Sequence, residues 1–136
     1  MTQPTEYEIS GELQGARNEL KAAQVLFDQQ LFVQAVSSSY YAVFHAARAA
    51  IWKHGLHAKS HRGTAQLFGK EYIKTGQLDS LYSDILTGHR EKREMADYDP
   101  VDFNISVEET AVMIADARQF VDAVDDLLNK SDSTNL

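Results

Sequence analysis

Apolar residues recur along most of the chain in steps of three and four, and nowhere alternate as a half-buried strand requires. This pattern predicts five helices. The first opens on Thr5 and Glu8, spaced so that each side chain can cap the other's backbone. It runs to about residue 29, with Leu13, Leu20, Ala23 and Phe27 at helical spacing. The second spans about residues 31–54 and stops at Gly55, which suits a left-handed cap. The third is expected over residues 60–76 and the fourth from about 79 to 98, where Asp99-Pro100 bars continuation. Ser106 and Glu109 form a second capping box. They start a fifth helix with the series Val107, Ala111, Ile114, Ala117, Val121, Val124 and Leu128. The expectation is an all-α protein, an antiparallel bundle of four to five helices forming one domain over residues 1–130. The polar residues 131–136 are expected to be a disordered tail.

The second helix carries two stripes. Phe32, Val36, Ser39, Val43, Ala47 and Ala50, with Tyr40, Phe44 and Ile51 beside them, read as core. A second stripe, Ser38, Tyr41, His45, Arg48 and Trp52, sets aromatic rings and hydrogen-bonding groups on one face. Such a face is either partly buried with satisfied polar tips, or a subunit interface or pocket wall. The flanking Ala42, Ala46 and Ala49 would let another helix approach closely, which favours an interface.

Composition narrows the class. A chain of 136 residues, 43% hydrophobic and 24% charged, can bury one substantial core. No apolar run is long enough to span a bilayer, and the first residues lack a signal-peptide pattern, so a cytoplasmic location is expected. With no cysteine, disulfide and thiolate chemistry are excluded. The net charge of -7 is uneven. Residues 1–93 hold 11 Lys and Arg against 9 Asp and Glu, whereas residues 94–136 hold 2 against 11. Nonspecific coating of nucleic acid is therefore disfavoured, while a local basic groove stays open.

Two segments offer chemistry. Between the second and third helices, residues 52–62 hold Lys53, Lys59 and Arg62, together with His54, His57 and His61, and no acid. A helix start near Ser60 adds backbone donors, so Lys59, His61 and Arg62 are candidate phosphate or nucleic-acid contacts. No carboxylate or cysteine completes a metal set there, and neither a metal nor another cofactor is expected. At the end of the fourth helix, residues 89–99 place Arg90, Arg93 and Asp97 at i, i+3 and i+4 spacing beside Tyr98. By spacing alone this reads as a solvated charged face.

A family resemblance raises the weight of that segment. Ser39-Tyr-Tyr-Ala-Val-Phe-His-Ala-Ala-Arg-Ala-Ala50 resembles the signature second helix of HEPN-domain proteins, in particular the small stand-alone UPF0332 group. His61-Arg-Gly63, Phe68-Gly-Lys-Glu-Tyr-Ile-Lys-Thr-Gly76 and Arg93-Glu-Met-Ala-Asp-Tyr98 follow in family order, and the resemblance covers roughly residues 10–130. It implies a helical bundle that commonly forms a homodimer, with a nucleotidyltransferase-type partner protein in a toxin–antitoxin-like pair. Many members are metal-independent ribonucleases whose motif is an Arg followed four to six residues later by a His. Arg93 matches that Arg, but Tyr98 stands where the His is expected, and no His follows Arg93.

Three functions remain open. The first is a binding module that takes nucleotide or RNA phosphate near Arg93, with Arg90, Lys59, His61 and Arg62 as further contacts. The second is an RNA endonuclease using Arg93 with Asp97, Tyr98 or a histidine from elsewhere. The third is a structural adaptor. Tyr41, His45, Arg48 and Trp52 are the candidate interface or pocket.

Overall fold

The computed structural model describes residues 3–133, with side chains described as far as residue 130. Five α-helices follow one another: α1 (Glu6–Asp28), α2 (Phe32–Lys53), α3 (His61–Phe68), α4 (Ser80–Tyr98) and α5 (Val107–Ser133). Among the described residues there is no strand. The helix starts are those that the caps predict. The Thr5 hydroxyl accepts from the Glu8 N–H at 3.1 Å, and the Glu8 carboxylate accepts from the Thr5 N–H. Ser60, Asp79 and Ser106 accept from the N–H groups of Gly63, Leu81 and Glu109 in the same way.

Gly55 ends α2 at φ 73°, and the Leu56 N–H donates to the Ile51 carbonyl at 3.1 Å, closing the last turn as a left-handed cap does. The α1–α2 turn reaches the same region at Gln30 (φ 64°) without a glycine.

The third expected helix is not one α-helix. After Phe68 the chain widens into a π-helical turn over Gly69–Ile73, in which the Lys74 N–H donates to the Gly69 carbonyl at 2.9 Å. Phe68 and Tyr72 are both buried, 5.6 Å apart by ring centroid, and the Tyr72 hydroxyl donates to the Ala50 carbonyl at 2.6 Å. Burial pushes the Tyr72 phenol far up, so it remains a donor at any ordinary pH.

Helix α2 is the axis of the fold. Ala42, Ala46, Ala47, Ala49 and Ala50 are all fully buried, so the other helices pack against it from several sides. The alanine stripe does admit a close neighbour, but that neighbour belongs to the same chain. A methyl group added at Gly15 of α1 would meet the His45 ring at 3.7 Å. From α5, Ile114, Ala117, Phe120, Val121, Val124 and Leu128 enter the core, whereas Val107 and Ala111 of the expected apolar series face solvent. A smaller cluster of Val36, Ile105 and Met113 lies under Phe32 and Phe103. Helix α5 continues past Asn129 to Ser133, and residues 134–136 of the expected polar tail lie outside the described residues. No helix among the described residues is long and apolar enough to cross a membrane.

Candidate functional site

Arg93 lies on the face of α4 that looks towards α2. Its guanidinium carbon sits 5.1 Å from the centre of the Tyr41 ring and 5.8 Å from that of Tyr40. Asp97 Oδ2 is 2.8 Å from Arg93 Nε, but the N–H is not aimed at it, so the contact is ionic and the buried Nε makes no hydrogen bond among the described residues. One turn earlier, Arg90 pairs with Glu94 at 3.1 Å rather than with Asp97.

Tyr98 is 92% exposed. The four residues that spacing grouped together are therefore divided. Arg93 and Asp97 meet, Arg90 has its own partner, and Tyr98 projects into solvent.

What the spacing did not show is the arrival of His61, the first residue of α3. Its ring lies nearly parallel to that of Phe44, 4.1 Å away, and stacks at 5.6 Å with Tyr40. Its Nδ1 is 2.6 Å from the Tyr40 hydroxyl. Burial lowers the His61 pKa, and the positive charges of Arg93, Arg90 and Arg48 lower it further. The same burial pushes the Tyr40 phenol up to about 12, so it stays protonated beside the imidazole. Arg62, next in sequence, borders with Arg90, Glu91 and Glu94 a shallow cavity of about 300 Å³. Lys59 is exposed on the loop that leads in.

The second stripe of α2 supports this cluster from behind. Glu12 of α1 accepts from Arg48 through both carboxylate oxygens, at 2.8 and 2.9 Å, and from His45 Nδ1 at 2.8 Å. The Arg48 guanidinium carbon also lies 5.1 Å from the Phe44 ring centre and 5.3 Å from that of Trp52. Tyr41 and Trp52 are half-buried, and Trp52 leans on His57.

Burial works to raise the Glu12 pKa, but the hydrogen bonds and charges of His45 and Arg48 outweigh it and hold the carboxyl below the usual range. The stability this gives is present above the ordinary carboxylate pKa and is lost as pH falls through the depressed one. Glu12→Gln is accordingly expected to cost about 1–2 kcal/mol at pH 7 and much less at a pH below the depressed pKa, where the wild-type carboxyl is also neutral. Urea unfolding at the two pH values checks this.

The remaining histidines are placed elsewhere. His89 is buried under α5 with Nε2 2.8 Å from the Met113 carbonyl, and burial lowers its pKa, so it is held away from Arg93. His54 packs on Tyr72 and His57 on Trp52. Among the described residues no three His, Asp or Glu side chains are grouped to hold a metal ion.

A cation, an imidazole and two phenol rings from three helices thus meet, with Tyr40 fully buried beneath the others. The HEPN domain model matches residues 11–127. The chain belongs to the HEPN domain family. It is 33% identical over 117 residues to a Methanocaldococcus jannaschii protein named "Putative toxin", covering 86% of each chain. It is 36% identical over 107 residues to a UPF0332 protein of Gloeobacter violaceus, covering 78% of this chain and 84% of the relative. A UPF0332 protein of Archaeoglobus fulgidus is 28% identical over 126 residues, covering 91% and 98%. Within this HEPN chain, His61 is the only imidazole among the described residues that packs against the Tyr40 and Tyr41 rings over which Arg93 lies.

Proposed function

We propose that this chain is a HEPN toxin-like module that binds nucleotide or RNA phosphate at the Arg93 cluster. In this reading it works in the cytoplasm as a homodimer paired with a small nucleotidyltransferase. The observation that carries the phosphate reading is Arg93 itself. The rings of Tyr40 and Tyr41 and the Asp97 carboxylate hold its guanidinium in place, its terminal nitrogens make no hydrogen bond among the described residues, and together with Arg90 and Arg48 it adds positive charge at His61. An arginine fork suits phosphate oxygens, and the half-buried Tyr41 offers a ring edge against which a base can pack. The relatives named as toxins support the toxin-like reading, and the HEPN resemblance supports the nucleotidyltransferase partner.

A second reading, metal-independent RNA cleavage, is favoured by one observation. His61 supplies in space the imidazole that the motif lacks in sequence, within reach of the charge of Arg93. A neutral imidazole is a competent general base, and a guanidinium can stabilise a phosphorane.

Purified protein incubated with RNA in EDTA separates the readings. Binding without strand loss is the expected result. Cleavage that disappears in both Arg93→Ala and His61→Asn would establish the second reading. Neither binding nor cleavage would remove both and leave a structural adaptor.

A further inference from the structure

Cationic side chains approach His61 from α2, from α4 and from its own segment. Arg48 approaches from α2 and Arg90 and Arg93 from α4, paired in turn with Glu12, Glu94 and Asp97, and their net effect on the imidazole is that of positive charge; Lys59 and Arg62 flank it on its own segment. Tyr40 and Tyr41 are the other titratable groups against its ring, and Glu12 and His45 reach it only through Arg48. A cationic imidazole in this setting is disfavoured, and its position at the N-terminus of α3 adds to that. An oxyanion placed among the same arginines would reverse the balance.

We infer that the cluster binds a phosphodiester together with one proton, and that His61 is the residue that takes the proton up. This rests on the phosphate-binding reading above and adds the group that makes such binding depend on pH.

The geometry allows the change without breaking a contact. Nδ1 faces the Tyr40 hydroxyl, which can donate to a neutral imidazole or accept from a protonated one. Nε2 makes no hydrogen bond among the described residues and is not sealed from solvent, so in the cationic form its N–H is available to a phosphate oxygen. The ring is fixed between Phe44 and Tyr40 and so presents that edge without reorientation. Neutral when free and cationic when occupied, His61 couples the two equilibria, and each ligand strengthens the other by the same factor.

The sign follows directly. Without ligand the His61 pKa lies below 6.5, and with a phosphodiester bound it lies above its free value. Affinity is then highest at pH below the free pKa. It falls as pH rises between the free and bound pKa values, by up to about tenfold per pH unit.

The test uses a short 2′-O-methyl oligoribonucleotide with hydroxyl ends, which is not cleaved through the 2′ position and whose phosphates do not titrate near neutrality. Calorimetry at pH 7 in buffers of different ionisation enthalpy counts the protons taken up, and affinity is followed from pH 5 to 8. The expected result is net proton uptake and weakening with rising pH, both lost in His61→Asn, whose amide keeps a partner for Tyr40 but does not titrate. Binding with no proton uptake, or uptake that persists in His61→Asn, would overturn the inference and leave the phosphate site standing. No binding at any pH would overturn both. The wild-type measurement alone decides the uptake should the variant fail to fold.

Discussion

Replacing Arg93 with alanine is expected to weaken binding of an oligoribonucleotide by on the order of 30-fold, equivalent to about 2 kcal/mol, while leaving the protein folded. The binding loss is large because the rings of Tyr40 and Tyr41 hold the Arg93 guanidinium in place while its terminal nitrogens make no hydrogen bond among the described residues and are not sealed from solvent. Arg48 is held by Glu12 through two hydrogen bonds and Arg90 by Glu94 through one, and neither contacts the Tyr40 and Tyr41 rings as Arg93 does.

The cost to stability is small by comparison. The Arg93–Asp97 pair is partly exposed and the cation–π contacts are modest, together about 1 kcal/mol and a Tm lower by a few degrees. Lysine at the same position keeps the charge but loses the planar fork, so an intermediate affinity is expected. Lys59→Ala, on the exposed loop, is expected to lower affinity only slightly and to reduce its salt dependence. Fluorescence anisotropy at one fixed salt concentration ranks the four proteins. An unchanged affinity in Arg93→Ala would place the site elsewhere.

The largest stability effect is expected from Phe120→Ala, a loss of about 3–5 kcal/mol. Phe120 is fully buried on α5, with its ring centre 5.2 Å from that of Phe68 and 6.0 Å from that of Tyr82. It therefore joins α5, α3 and α4 at one point. Helix α3 has only eight residues and buries just Thr64 and Phe68, so the Phe68–Phe120 contact is a large part of what holds it. Loosening that end leaves His61, at the other end of α3, less firmly placed over Phe44. Unfolding in urea checks the stability, and RNA affinity measured where the variant remains folded checks the coupling. A cost below about 1 kcal/mol would show that α3 is anchored by other contacts.

Helix-level organisation is legible in the sequence because it rests on local rules. Thr5, Ser60, Asp79 and Ser106 cap, and Gly55 and Gly76 take positive φ after the helices they end. The π turn escaped the pattern, since a five-residue widening moves Tyr72 inward while Gly69, at its start, keeps right-handed helical dihedrals and does not end the helix. The site is legible only in part. Arg93 is marked by spacing and family resemblance, and His61 by charge, a helix start and the same resemblance, but neither signal joins the two.

Their meeting spans 32 positions of sequence and depends on how α3 and α4 both pack against α2, which no local spacing encodes. A signal did exist in Tyr40. It sits in the core stripe of α2 beside Val43 and Phe44, and a buried phenol requires a hydrogen-bonding partner from some other element. Glu12 was missed for a similar reason. On α1 it looks like one more surface acid, yet it joins two residues of the α2 stripe whose polar tips needed a partner.

The most direct measurement is an NMR titration of the protein, with labelled histidine and arginine side chains, by the 2′-O-methyl oligoribonucleotide. If one oxyanion site is built from α2, α3 and α4, the His61 ring and Arg93 Nε resonances move together. Both then follow a single binding curve, while His89 and His54 stay in place. Shifts confined to the exposed loop at Lys59 or to the end of α4 at Tyr98, with His61 and Arg93 unmoved, would contradict it.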